Sequence, residues 1–449
     1  MPGSLRHTNP RQRQNGAATL LMTMSLLLGM SLTLLYLNRS LVIEQKSAAN
    51  QVRAALALDM AEAGLEWATG MLNTAQRIDS TCALSSGASV SFRRQYLQTN
   101  WGKETSGATE MAPASTSYPG CKIDDNSWIC TCPDPSGSIP TTSSPGSAQL
   151  PGFTVSFLAA SDPEAVRIIA TGCSAQTGAC TPSNSLASDA NATVSAILKL
   201  RRLPRALPAA ALTCGSSCTV GGSYTLFNQD LGSGGLLIDA GGAINLSNEA
   251  ALISIPGQPG ATAILHHDSA LSTLSSSDTD CSQSTVFASF FGSTLAQYAR
   301  APMTKTIADC GAASNCDALV DASYAEGWRS FYFPDGFARS KTSVNLGSAT
   351  DPVTLVSNAG FNLNGNSTIY GLLFNNDSTV TDWGSGSVQV RGAWVACAGH
   401  SSNGSGALTY DASILQTLQR STAPLVRVPG SWTDRCRAGK EVPPIISCS

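Results

Sequence analysis

The chain has 449 residues, with 27 Lys and Arg against 30 Asp and Glu, so its formal charge is −3. That balance gives no electrostatic case for a nucleic-acid partner, which needs a basic stripe or patch. Only 13% of residues are charged against 42% hydrophobic, a surface style that speaks against an ordinary cytosolic helical enzyme.

Residues 1–15 are polar and carry Arg6, Arg11 and Arg13 without an acidic residue. After Gly16, the 21 residues from Ala17 to Leu37 hold no charge. As a helix they rise about 31 Å, enough to cross a bilayer. The run exceeds the h-region of a secretory signal peptide, and Tyr36-Leu37-Asn38-Arg39-Ser40 is a poor site for that peptidase. The arginines predict a cytoplasmic N-terminus, a membrane span and export of everything after Leu37. From Asn38 to Arg77 there is no proline, and Val52, Leu56, Met60, Ala63, Trp67 and Met71 recur every three or four residues. Span and stripe together predict one helix of about 60 residues. Its residues 17–37 are apolar all round, and residues 38–77 are amphipathic and need a domain to pack on.

A basic leader ending in Gly16, a small residue Ala17, an apolar run and a long amphipathic continuation resemble a type IV prepilin. Gly16-Ala17-Ala18-Thr19-Leu20-Leu21, with Ala61-Glu62-Ala63-Gly64-Leu65-Glu66, resembles the PilX-type minor pilins and is similar to the K-type pseudopilins of type II secretion. The resemblance implies a leader over residues 1–16, cleavage between Gly16 and Ala17 by prepilin peptidase, and N-methylation of the new Ala17 amine. The implied partners are other major and minor pilins, prepilin peptidase, the inner membrane, and a host surface or other cells. Most pilins carry glutamate at the fifth mature position, where this chain has Leu21. A carboxylate in an apolar filament core is costly unless a neighbouring subunit's terminal amine pairs with it. Leu21 therefore suits the first position, at the tip.

All 14 cysteines lie at or beyond Cys82. An even count after a membrane-type segment predicts disulfides formed in an oxidising compartment. Close pairs stand out at Cys130 and Cys132, Cys173 and Cys180, Cys214 and Cys218, and Cys310 and Cys316. Cys130-Thr-Cys132 is too short for a zinc knuckle, and beyond residue 7 the histidines are His266, His267 and His400 alone. No metal or cofactor is expected.

Residues 78–205 read as an α+β, pilin-like head. Strands at Phe153–Ala159, Ala165–Thr171 and Ala192–Leu200 predict an antiparallel meander against the helix, with Pro133–Pro151 as an exposed loop. Lys199, Arg201, Arg202 and Arg205, beside Pro204 and Pro208, mark an exposed interdomain segment in preference to a phosphate site.

Residues 206–449 change texture into short apolar strands separated by Gly, Asn and Ser corners, with an insertion over 266–345. Ile369–Phe374 aligns with Val390–Val395 at an offset of 21 residues. That repeat suggests a parallel β-solenoid, although a β-sandwich has the same composition. Within the insertion, Leu295–Arg300 and Ala318–Trp328 predict short helices, and Trp328, Phe331, Tyr332, Phe333 and Phe337 form its packing patch. Ala412–Arg420 predicts a helix with Leu415 and Leu418 inward, capping an open solenoid end.

No nucleophile elbow, zinc-protease, P-loop or dinucleotide motif is present, and no catalytic residue is nominated. His266-His267-Asp268, with Asp278 and Asp280 nearby, is the most site-like group and reads as a surface turn. A glycan lyase would draw on Asp377, Asp382 and Arg391, which a solvated edge explains equally well. The expected role is a non-enzymatic minor pilin that primes pilus assembly and displays a tip head. The alternatives are a type II secretion pseudopilin and a membrane-anchored protein that binds or cleaves glycans.

Overall fold

Helix α1 runs unbroken from Asn15 to Leu72, 58 residues, in the computed structural model. The structure describes residues 15–85, 90–99, 111–113, 119–133, 150–176, 180, 190–247, 250–276, 281–283, 285–310, 316–340, 345–378, 381–382, 387–402, 404–434, 436–438 and 446–448. The leader arginines, most of the proline-rich loop, Asp278 and Asp280 lie outside them. The helix stops at Leu72, short of the expected residue 77, where its last carbonyls find new donors. Arg93 Nε donates to Leu72 O at 2.9 Å, and Asn73 Nδ2 donates to Thr69 O at 3.0 Å.

The covered face of α1 is Ala57, Met60, Ala61, Leu65, Ala68 and Leu72. Of the expected stripe only Met60 is fully buried; Leu56, Ala63, Trp67 and Met71 flank the contact and Val52 is exposed. The reason is close approach. Gly172, in the strand Ala165–Gln176, lies so near the helix that a Cβ there would stand 2.1 Å from Ala57 O and 2.3 Å from Ala61 N. Small residues let the backbones meet, and the large ones pack at the sides.

That strand belongs to an antiparallel six-stranded sheet, ordered 425–427, 191–200, 165–176, 150–159, 120–124, 127–131. The three expected strands lie consecutively within it. One edge, Leu425–Arg427, comes from near the end of the chain, Leu425 pairing with Leu200. Phe92, Tyr96, Phe153 and Phe157 fill the space between helix and sheet.

The second β region is built on parallel ladders. Leu212 pairs with Ile238 and Ile238 with Ile264, 26 residues on each time. Cys218–Val220 and Thr225–Phe227 pair at the same step with Ile244–Leu246 and Ala251–Ile253. A further run passes through Thr304–Thr306, Ser330–Phe333, Val353–Ser357, Thr368–Asn375 and Gln389–Ala396. It then closes onto the start: Trp394 pairs with Leu212, His400 with Cys218 and Ala407 with Thr225. The latest strands thus lie beside the earliest. The 21-residue alignment is a physical register, Ile369 opposite Val390 and Phe374 opposite Val395. Gly371 and Gly392 stack within it at φ of 145° and 138°, where a Cβ would stand under 2 Å from the carbonyl oxygens of Val353 and Gly371. Only glycine fits there.

Two strands within 266–345, Thr304–Thr306 and Ser330–Phe333, join these ladders, and Phe337–Arg339 pairs in parallel with Phe361–Leu363, so the interruption is shorter than expected. Its helices include Leu295–Ala299 and Cys316–Glu326, close to the expected ranges. Phe331, Phe333 and Phe337 sit in the main core, because their strands are part of the stack and not of a separate insertion. The helix Ala412–Ser421 does turn Ile414, Leu415 and Leu418 inward. It packs on Thr368–Asn375 and Gln389–Ala396, mid-stack, and not at an open end. Asp411 sets that direction by accepting from the Ser413 and Ile414 amides as N-cap.

Candidate functional site

The described side chains of α1 from Gly16 to Ala55 are all exposed. Leu20, Leu21, Met22 and Met24 are exposed, and so are the large apolar residues on through Ile43; Leu21 is 69% accessible and Tyr36 76%. Ala18–Leu72 is long and apolar enough to cross a membrane, and its apolar window is wholly unburied. In water such a surface is a liability, so its stability requires lipid or other helices around it.

The polar side chains of this stretch fit a dry environment. Thr19 donates to Gly16 O, Thr23 to Thr19 O and Leu20 O, Ser25 to Met22 O, Ser31 to Leu27 O, and Thr33 to Gly29 O and Met30 O. Each of these Ser and Thr hydroxyls is satisfied by the helix that carries it, so none of them needs water. Gly16 lies in the first turn, exposed, with no atom within 4 Å of the position a Cβ would take. Ala17 follows it in the helix.

The cysteines pair as structural staples. Cys173 bonds Cys180, Cys214 bonds Cys218 and Cys310 bonds Cys316, each across a short turn. Cys130 and Cys132 do not pair with each other. Residues two apart on a strand point to the same side, so Cys130 bonds Cys121, directly opposite in the antiparallel ladder, and Cys132 bonds Cys82. Sequence spacing gave no sign of Cys281–Cys397, which spans 116 residues and ties the first connecting segment to the last ladder.

The His266-His267-Asp268 group is occupied by backbone work. His266 Nδ1 accepts from Ile244 N at 3.3 Å, and Asp268 accepts from Ala270 N at the start of the helix Ser269–Ser276. Asp239 lies beside Asp268; burial, and then the neighbouring carboxylate, push its pKa up to about 6. A folded-state pKa above the unfolded value stabilises the protein at low pH and loses that stabilisation as pH rises through about 6. The wild-type melting temperature should therefore climb from pH 7 to pH 5 by more than that of Asp239→Asn. Parallel pH profiles would contradict the assignment.

Among the described residues no group of three or more His, Cys, Asp or Glu is placed to hold a metal ion. Arg391 lies over the Tyr370 ring at 5.9 Å, and the Asp377 amide donates to Asn375 Oδ1. The linker cations are engaged at the surface: Lys199 with Asp162, Arg202 with Glu164, and Arg201 with Gly292 O.

No protein-family model matches this chain, and no curated protein matches it. Among solved structures it is similar to an ice binding protein from an Antarctic biological consortium, at 14% identity and a TM-score of 0.20, over 47% of this chain and 93% of that one.

Proposed function

We propose that this chain is a minor pilin of a type IV pilus, held in the inner membrane by Ala17–Leu37 and assembled through α1. The observation that carries the reading is the division of one continuous helix. Its first part is apolar and uncovered, with those Ser and Thr hydroxyls self-satisfied, and Ala57–Leu72 is packed on an antiparallel sheet. A helix so divided exchanges lipid for neighbouring helices without rearranging its head. Before that exchange, prepilin peptidase cuts between Gly16 and Ala17, and the new Ala17 amine is methylated. The work is assembly and interaction, without catalysis.

Residues 212–410 form a parallel β-solenoid in this reading, supported by ladders that repeat in register at a 26-residue step and by the glycine stack at Gly371 and Gly392. A head of this bulk, displayed toward a host surface or other cells, is tolerated at a filament end and not along a shaft. A pseudopilin of type II secretion shares the helix argument, and gene neighbourhood separates the two.

Leu21 tests the tip placement. It is exposed in the isolated chain, so Leu21→Glu removes no internal contact. In a filament it would bury a carboxyl with no amine opposite, at about 2–3 kcal/mol. Pilus number should fall or stay level, with antibody label at ends only. Increased incorporation, with label along wild-type shafts, would place the subunit in the shaft.

A further inference from the structure

A cleft opens where the head meets the second β region. Its free volume is about 60 Å³, roughly two waters' share of liquid. It lies between the end of α1, the short helix α2 (Phe92–Tyr96) and loops carrying Met303, Gly327, Arg329 and Asp351. Four arginines are among its lining residues, Arg77, Arg93, Arg94 and Arg329, with one acidic residue, Asp351.

That carboxylate is fully engaged. Arg329 donates to both of its oxygens at 2.8 and 2.7 Å, Arg94 donates at 2.9 Å, and the Tyr324 hydroxyl donates at 3.3 Å. Burial alone would raise the Asp351 pKa, but the hydrogen bonds and charges of the two arginines outweigh it and hold the group below its ordinary value. Asp351 is thus an anion and offsets one cation.

Arg93 is 5% exposed and donates only to neutral oxygens: Leu72 O at 2.9 Å, Ala423 O at 2.8 Å and, more weakly, Asn73 Oδ1 at 3.5 Å. Burial lowers its pKa to about 10, so it stays charged at neutral pH. The two carbonyls end α1 and follow the helix Ala412–Ser421, and such termini carry partial negative charge that answers part of a cation. An enclosed guanidinium without a carboxylate remains costly, and Arg94, whose side chain is 46% exposed, keeps donors that Asp351 does not use.

We propose that this cleft binds a small oxyanion from solution, of the phosphate, sulfate or short-carboxylate class, through Arg93 and Arg94. The source is set by distance. From Leu37 to Leu72 the helix rises about 52 Å, so a lipid headgroup at the end of the apolar span does not reach the cleft.

The test is thermal unfolding of the full-length chain in neutral detergent, with sodium phosphate replacing sodium chloride at constant pH and ionic strength. The melting temperature should rise saturably with phosphate. Arg94→Gln should weaken the apparent affinity about tenfold, the usual worth of a charge-assisted hydrogen bond. Asp351→Asn, which releases Arg94 and Arg329 from their carboxylate, should tighten it by a similar factor. A cleft that only clasps the two regions together would show neither change in phosphate response, whatever the variants do to stability. Equal melting curves in phosphate and chloride, or an Asp351→Asn response identical to wild type, would overturn the proposal. Binding to phosphatidylglycerol vesicles without any phosphate effect would overturn the solution source.

Discussion

Gly172→Ala should unseat the head from α1. The added Cβ would stand 2.1 Å from Ala57 O and 2.3 Å from Ala61 N, both backbone atoms, so no side-chain rotation relieves the clash. Helix and sheet must separate, which places the cost at or above the upper end of ordinary overpacking, about 3 kcal/mol. The head and the second β region have separate hydrophobic cores, one built on Leu65, Phe153 and Val194, the other on Leu212, Phe374 and Trp394. The variant should therefore lower one calorimetric transition and leave most of the other in place, while protease gains access to residues 57–72. Gly70→Ala is the control. Gly70 is exposed on the same helix with no atom within 4 Å of a new Cβ, so alanine there should be neutral or add about 0.5–1 kcal/mol. Equal behaviour of the two variants would mean that the contact at Gly172 is looser than its geometry states.

Gly16→Leu should leave the fold intact and abolish maturation. Nothing lies within 4 Å of the position its Cβ would take, and leucine favours a helix more than glycine does. Any loss of pili in this variant then reports on processing, since stability is not at stake. Wild-type protein from pili should begin at methylated Ala17 and contain 449 − 16 = 433 residues. The variant should keep its leader and stay in the inner membrane, giving no pili that carry this subunit. Intact-mass measurement decides the matter. A wild-type subunit found in pili with Met1 still attached, or a variant trimmed normally, would remove the prepilin reading.

The long helix was legible because its determinants are local. An uncharged run, the lack of proline and a three-to-four spacing of apolar residues act within a few turns, and α1 spans Asn15–Leu72 as one element. Short-range staples were legible for the same reason: Cys173–Cys180, Cys214–Cys218 and Cys310–Cys316 each close a short loop. The strand repeat at Ile369 and Val390 was readable because stacked strands in register place like residues on like, and Gly371 and Gly392 are required by the backbone itself.

What the sequence could not settle depends on which distant backbone comes to lie alongside. The covered face of α1 turned by one position because the sheet chose the small residues Ala57, Ala61 and Ala68, and the choice was made by Gly172, more than a hundred residues on. Cys281 bonds Cys397, Leu425–Arg427 completes the first sheet, and the last parallel strands lie on Leu212–Cys214, each a pairing between segments far apart in the chain. The arginine-lined cleft is of the same kind. Arg77, Arg94, Arg329 and Asp351 carry no spacing signal, and their charges accumulate only where helix end, head and ladder loops meet. Periodicity reports forces that act along a segment, whereas the packing of remote segments follows from the shapes they present once folded.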